Sequence, residues 1–159
     1  MKSNKNLTAT LNDLLSDELT AISQYMVHSE MCDNWGYEKL HKAIEKRAKE
    51  EMNHAEWLVK RILFLGGMPV VSKLNRMKIG KDVSEMVSNG HESELEAIRA
   101  YNAAIGLAGE LSDQGTADLL TSILKMEEEH AHWAEIQKTQ IEQMGLENYL
   151  ANQTEGGAN

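Results

Sequence analysis

The sequence predicts an all-α four-helix bundle with one long crossover, and three observations predict it. Apolar residues recur at alternating steps of three and four through four long segments. The single proline, Pro69, lies in the one long interruption of that rhythm, between the second and third segments. The first half of the chain is also written again in the second.

The first stripe runs Leu11, Leu14, Glu18, Ile22, Tyr25, Ser29, Cys32 and the second Leu40, Ile44, Arg47, Glu51, His54, Leu58, Ile62. The third runs Val87, His91, Glu94, Ile98, Tyr101, Ile105, Ala108 and the fourth Leu120, Ile123, Glu127, His130, Ala134, Gln137, Ile141. Such spacing puts each set on one face of an α-helix, the face that turns to a core.

Asp33-Asn34-Trp35-Gly36 and Ser112-Asp113-Gln114-Gly115 are short polar breaks with glycine, suited to joining antiparallel neighbours. The stretch from about Gly66 to Asp82 is longer. Its roughly 17 residues reach beyond about 50 Å at ~3.3 Å each, whereas a helix of about 28 residues spans ~42 Å. It can therefore cross the whole bundle, leaving the second and third helices parallel. Residues 1–159 are expected to form a single domain: a bundle over about 5–144, a break at Gly145, and a short fifth helix over about 146–154, with the last residues, EGGAN, frayed.

Composition narrows the function. A net charge of -9 argues against an electrostatic footprint for nucleic acid or an anionic membrane and makes cations the natural small partners. One cysteine, Cys32, excludes an intrachain disulfide and suits a reducing compartment. No apolar run is long enough to span a membrane, and the amino terminus lacks the apolar region of an export signal, so a cytoplasmic protein is expected.

The repeat carries the chemistry. A shift of 76 positions superposes Glu18 to Tyr25 on Glu94 to Tyr101 as Glu-Leu-x-Ala-Ile-x-x-Tyr, and Glu51 to Trp57 on Glu127 to Trp133 as Glu-x-x-His-Ala-x-Trp. In each half the lone glutamate precedes its Glu-x-x-His by 33 residues, so an antiparallel hairpin brings the two to one height. A pseudo-twofold axis then relates the halves.

Glu18, Glu51, His54, Glu94, Glu127 and His130 all lie on core stripes. Burying one carboxylate without partners costs several kcal/mol, and four together repel until most take up protons. Two divalent cations would neutralise four carboxylates, and residues i and i+3 point the same way from a helix, so each Glu-x-x-His can reach shared or adjacent ions. This is the ligand pattern of di-iron and di-manganese carboxylate bundles. Oxygen-rich ligation with one imidazole per metal suits iron(II) or manganese(II), although zinc and cobalt can also occupy such a site. A lone Glu-x-x-His on a helix is usually an accident of solvated residues; two copies in register, each opposed by a stripe glutamate, are not.

Over essentially the whole chain the sequence resembles the bacterioferritins, on SDELTAISQY, EEMNHAEW, RILFLGGMP, KMEEEHAHW and GLENYLANQ. The resemblance implies a ferritin-like fold with a ferroxidase centre of Glu18, Glu51, His54, Glu94, Glu127 and His130, in which Glu51 and Glu127 bridge the metals and Glu18 and Glu94 are terminal ligands. Iron(II) would be oxidised there by dioxygen or peroxide and stored as a mineral inside a homo-oligomeric shell of 24 subunits. The resemblance also makes Met52 an axial ligand of haem b, gripped by two symmetric copies across a twofold interface, with a small ferredoxin as the donor of electrons for iron release. One position can supply both ligands only across such an axis. Residue type alone would read Met52 as interface packing.

Some family members carry a histidine and an acidic residue as an inner-surface iron site at the positions of Lys46 and Glu50; Lys46 departs from that pattern, which puts the site in this chain in doubt. Tyr25 could hydrogen-bond a ligand carboxylate or give up an electron, but its match to Tyr101 favours structural use, as does the match of Trp57 to Trp133. Cys32 and Trp35 read as packing residues, and His28, His41, His91 and His132 as solvated or capping ones. Two other classes fit the stripe residues less well: a small di-iron oxidase or peroxidase of the rubrerythrin kind, which usually carries an attached Cys-x-x-Cys iron site that one cysteine cannot build, and a non-catalytic bundle whose carboxylates serve stability.

Overall fold

The computed structural model describes residues 4–155. It contains five helices: α1 (Lys5–Asn34), α2 (Glu38–Phe64), α3 (Val83–Glu110), α4 (Gln114–Met144) and α5 (Leu146–Ala151). No helix among the described residues is long and apolar enough to cross a membrane. α1 pairs with α2 and α3 with α4 as the two hairpins, and α1 also packs on α3.

Side chains mark the helix starts. Asn4 caps α1 by accepting from the Asn6 and Leu7 amides, Asp82 caps α3 through Glu85 N, and Asp113 caps α4 through Thr116 N. These groups satisfy amides that have no partner within the first turn. Gly145 ends α4 with φ 82°, a backbone conformation that side-chain-bearing residues rarely adopt. The expected glycine turn between α3 and α4 is different in detail. Ser112 takes the left-handed position at φ 57°, and Gly115 lies inside the first turn of α4. An added Cβ at Gly115 would stand 2.8 Å from the Arg61 guanidinium, which bonds Asp113 and Thr116 across the hairpin end.

The crossover, residues 65–82, lies along α1 and runs in the same direction. Asn12 bonds both Met68 O and Val70 N, Thr20 accepts from Asn75 N, Gln24 from Lys78 N, and His28 Nε2 from Gly80 N. One row of polar residues on α1 thus satisfies the backbone of a segment that has no ladder of its own. Gly80 approaches α3 so closely that a Cβ would meet Met86 N at 2.5 Å. Because the crossover ends beside the carboxyl end of α1, α3 starts there and runs antiparallel to α1 and parallel to α2.

The sequence reading of His28 as solvated or capping is therefore corrected. It is buried, and burial pushes its imidazole down to about 4, so the neutral ring accepts the Gly80 amide. His41 is half-buried against Ser29 O, whereas His91 and His132 face Glu135 at the surface. Cys32 packs in the core as expected, and Trp35 is 39% exposed with its ring set edge-on to Tyr37.

α5 ends earlier than expected, at Ala151. Tyr149 anchors it, fully buried and donating to Gln137 at 2.7 Å. Of the terminal EGGAN, Glu155 is tied to Lys42 and to Glu38, contrary to fraying at that residue. The other four residues lie outside the described part.

The apolar core is in two pieces. One, around Leu11, Leu15, Leu58, Ile62, Leu120 and Ile123, fills the end near the start of α1. The other, around Cys32, Leu40, Ile44, Val87 and Tyr149, fills the opposite end. Between them lies a buried layer of charged side chains.

Candidate metal centre

All six stripe residues meet in that layer. Glu18, Glu51, His54, Glu94, Glu127 and His130 are each at most 3% exposed. They form two overlapping quartets, Glu18, Glu51, His54, Glu127 and Glu51, Glu94, Glu127, His130, in each of which four ligand atoms lie within 4.8 Å of one another. Glu51 and Glu127 belong to both. Each lone glutamate stands beside the histidine of its own hairpin, with Glu18 Oε2 3.6 Å from His54 Nδ1 and Glu94 Oε1 3.7 Å from His130 Nδ1. Equal outbound and return paths in an antiparallel hairpin give that pairing.

Both imidazoles turn Nδ1 inward. His54 Nδ1 lies 2.9 Å from Glu127 and 3.3 Å from Glu51, and His130 Nδ1 lies 2.9 Å from Glu51 and 3.4 Å from Glu127. Each histidine thus reaches the shared carboxylate of the other hairpin and stitches the halves together. The rings stack with centroids 6.2 Å apart.

Protons hold the cluster together. Burial first, then the charges of Glu51 and Glu127, raises Glu18 well above the usual carboxylate range. Burial likewise raises Glu94 to about 8, with Glu127 adding to it. Burial would raise Glu51 too, but the neighbouring Glu18 carboxyl and the bonds to His130 and His54 outweigh it and hold Glu51 at about 2. For the histidines burial opposes charge, yet bonds to Glu127 and Glu51 win, lifting His54 to about 9 and His130 further. A divalent cation entering this site would replace those protons.

The fit to cations rests on oxygens left over. Glu18 Oε2, Glu94 Oε2 and Glu127 Oε2 are buried and have no hydrogen-bond partner. Orphaned buried carboxylate oxygens are costly, and hard cations take this kind of donor. The set of four carboxylates and two imidazoles fits two such ions.

Around the quartets lie further partners, of which the sequence reading offered Tyr25 alone as a hydrogen bond to a ligand carboxylate. Tyr101 donates to Glu18 at 2.6 Å, and Tyr25 donates to Glu94, so each tyrosine supports the lone glutamate of the opposite half. Behind His130, Nε2 meets the carboxylate of Glu50, which also pairs with Arg47 at 3.4 Å and Lys46 at 3.8 Å. Burial pushes Glu50 up, but the His130 bond and the charges of His130, Arg47 and Lys46 hold it below the usual carboxylate range. Behind His54, Nε2 meets the Met126 thioether at 3.1 Å. Glu50 and Met126 occupy matching positions of the repeat, 76 apart.

A cavity of about 120 Å³ leads from the quartets between α1 and α3 to the underside of the crossover, past Asp17, Thr20, Gln24, Asn75, Lys78 and Glu96. Burial and the nearby Asp13 and Glu96 raise Asp17 to about 6. Met52, one position after Glu51, points away from the centre and is 48% exposed. It shares the outer face of α2 with Glu45, Lys49 and Glu56.

Comparison with known proteins agrees with this architecture. The family model for the ferritin-like domain matches residues 8–144. A bacterial ferritin of Synechocystis sp. is 40% identical over 154 residues, covering 96% of this chain and 99% of that protein. A bacterial ferritin of Neisseria meningitidis serogroup B is 39% identical over the same length and the same shares. A bacterioferritin of Mycolicibacterium paratuberculosis is 36% identical over 151 residues, 95% of each chain. With a helical bundle of the expected order and likeness running nearly end to end, the chain belongs to the ferritin-like family, among the bacterial ferritins and bacterioferritins.

Proposed function

We propose that this protein stores iron and that Glu18, Glu51, His54, Glu94, Glu127 and His130 form its ferroxidase centre, taking two iron(II) ions as substrate. The observation that carries the reading is the pair of buried quartets sharing Glu51 and Glu127, with three carboxylate oxygens unpartnered. Each iron(II) gives up one electron. Dioxygen takes both with two protons and leaves as hydrogen peroxide, or peroxide takes both with two protons and leaves as two waters. Glu51 and Glu127, shared by both quartets, would hold two ions close enough for both electrons to go to one oxidant, and the two apolar core pieces close the layer toward the ends of the bundle.

The family's homo-oligomeric cages support assembly of this chain with copies of itself. The finer reading is a shell of 24 subunits in the cytoplasm with mineral inside, and a small ferredoxin giving electrons for release. Haem b belongs to the same reading. Met52 is open on the surface of α2. Two copies of Met52 across a twofold axis would hold the haem iron, which when bound supplies one-electron transfer.

Stopped-flow absorbance and oxygen consumption on metal-free protein given iron(II) test the centre. Fast oxidation is expected in the wild type and its loss in Glu18→Ala. Oxidation no faster than in buffer would defeat the proposal. Size-exclusion chromatography at protein and Soret wavelengths checks assembly and haem together, with Soret absorption lost in Met52→Ala.

A further inference from the structure

The two quartets have identical ligands but different backing, and we propose that this makes the two metal positions unequal, with Glu50 as the positioning residue that favours the His130 side. The inference rests on the dinuclear reading above.

A histidine that ligates through Nδ1 carries its remaining proton on Nε2, and the acceptor of that N–H sets the tautomer, the ring orientation and the donor strength of Nδ1. At both rings Nδ1 is the nitrogen that faces the carboxylates. His130 Nε2 meets the Glu50 carboxylate, which is itself fixed by Arg47, and Arg47 in turn lies over the Trp133 ring at 5.2 Å. His54 Nε2 meets the sulfur of Met126, a weak acceptor with no charge.

Because the repeat superposes Glu50 on Met126 and His130 on His54, the ligands themselves cancel in the comparison. What remains is a carboxylate behind one imidazole and a thioether behind the other. A charged acceptor stabilises the cation-bound imidazole, and loss of such a partner typically weakens metal binding about 10- to 100-fold. The position built by Glu94 and His130 therefore fills at lower metal concentration than the one built by Glu18 and His54.

Cobalt(II), which absorbs visibly and is not oxidised here, is the probe. Assembled metal-free protein is titrated at one fixed pH, with calorimetry and d–d absorption recorded together. The wild type should take up two ions per subunit in two steps separated by about 10- to 100-fold. Glu50→Gln should move the tighter step toward the weaker one and leave the weaker step in place, which a general loss of packing would not do. Met126→Glu should tighten the weaker step, and Glu50→Asp should keep the separation. Two equal steps in the wild type, or a separation unchanged in Glu50→Gln, would overturn the inequality while leaving a dinuclear site standing. No cobalt uptake at all would overturn both readings.

Discussion

The halves α1–α2 and α3–α4 match where they touch the metal layer and differ almost everywhere else. Glutamates, histidines, tyrosines and tryptophans coincide under the 76-residue shift, and the tyrosines even exchange partners symmetrically. Outside that layer the first half carries His28 and Met52 where the second has Ala104 and Glu128. Among the described residues the crossover takes most of its backbone partners from α1 and touches α3 through Lys78 and Gly80, and Arg61 fastens the second hairpin end. The symmetric part is what two cations need, and the asymmetric part is what the connections and the surroundings of a single chain impose.

The comparison breaks most completely at the shared ligands. Glu127→Ala removes an oxygen donor from both quartets, whereas Glu18→Ala or Glu94→Ala removes one from a single quartet. Cobalt titration should count two ions per subunit in the wild type and about one in either single-quartet variant, with both positions strongly weakened in Glu127→Ala. Fast iron oxidation, which needs both ions, should disappear in all three. If Glu127→Ala bound as much metal as Glu18→Ala, the overlap of the quartets would have no energetic meaning.

Acidity gives the next largest effect, and here the halves act together. Glu94 is raised to about 8 and His54 to about 9, so above pH 6.5 the metal-free folded state holds protons that the unfolded chain has released. Stability then falls as pH rises, through Glu94 from about 4.5 to 8 and through His54 from about 6.5 to 9. Metal reverses the trend, because cations compete with those same protons and bind more tightly as they leave. Thermal melts with and without cobalt should diverge steadily with pH. Parallel curves would mean that the layer holds no excess protons.

Most of the site was readable from residue order because it violates the pattern it sits in: charged residues on an apolar stripe, twice, at one spacing. The order of helices and the long crossover followed from periodicity and the lone proline for the same reason. The polar row Asn12, Thr20, Gln24 and His28 was not readable. Polar residues on a helix look solvated, and their partners are backbone groups of a segment without periodicity. Glu50 and Met126 lie off the stripes, one position before the glutamates that both quartets share, so only the packing of α2 against α4 reveals what they face.

Tyrosine substitutions sharpen the symmetric side. Tyr25→Phe and Tyr101→Phe each delete one buried hydroxyl and leave a buried glutamate oxygen without its donor, at a cost of about 1–3 kcal/mol by the usual penalty for an unpaired buried acceptor. Equal costs in chemical denaturation of the metal-free protein would confirm that the crossed tyrosines are structurally equivalent. The difference should shrink when cobalt fills the site, since the glutamates then have a cation to bind. A much larger effect at one tyrosine would assign it a role that its counterpart lacks.

The smallest effect tests the asymmetric side. Asp113 caps α4 and receives Arg61, whereas the matching start of α2 has Tyr37 and no side-chain cap. Asp113→Ala should cost about 0.5–2 kcal/mol, as loss of a helix cap does, and should leave cobalt stoichiometry untouched. Hydrogen exchange should quicken in the first turn of α4 and toward the end of α2, where Arg61 is released, and not in the metal layer. Because the layer is stitched by His54 and His130 across both hairpins, it has its own restraint against opening and does not depend on the hairpin end. Faster exchange at Glu127 or His130 in this variant would show instead that the fastening at the end of the bundle is what keeps the charged layer closed.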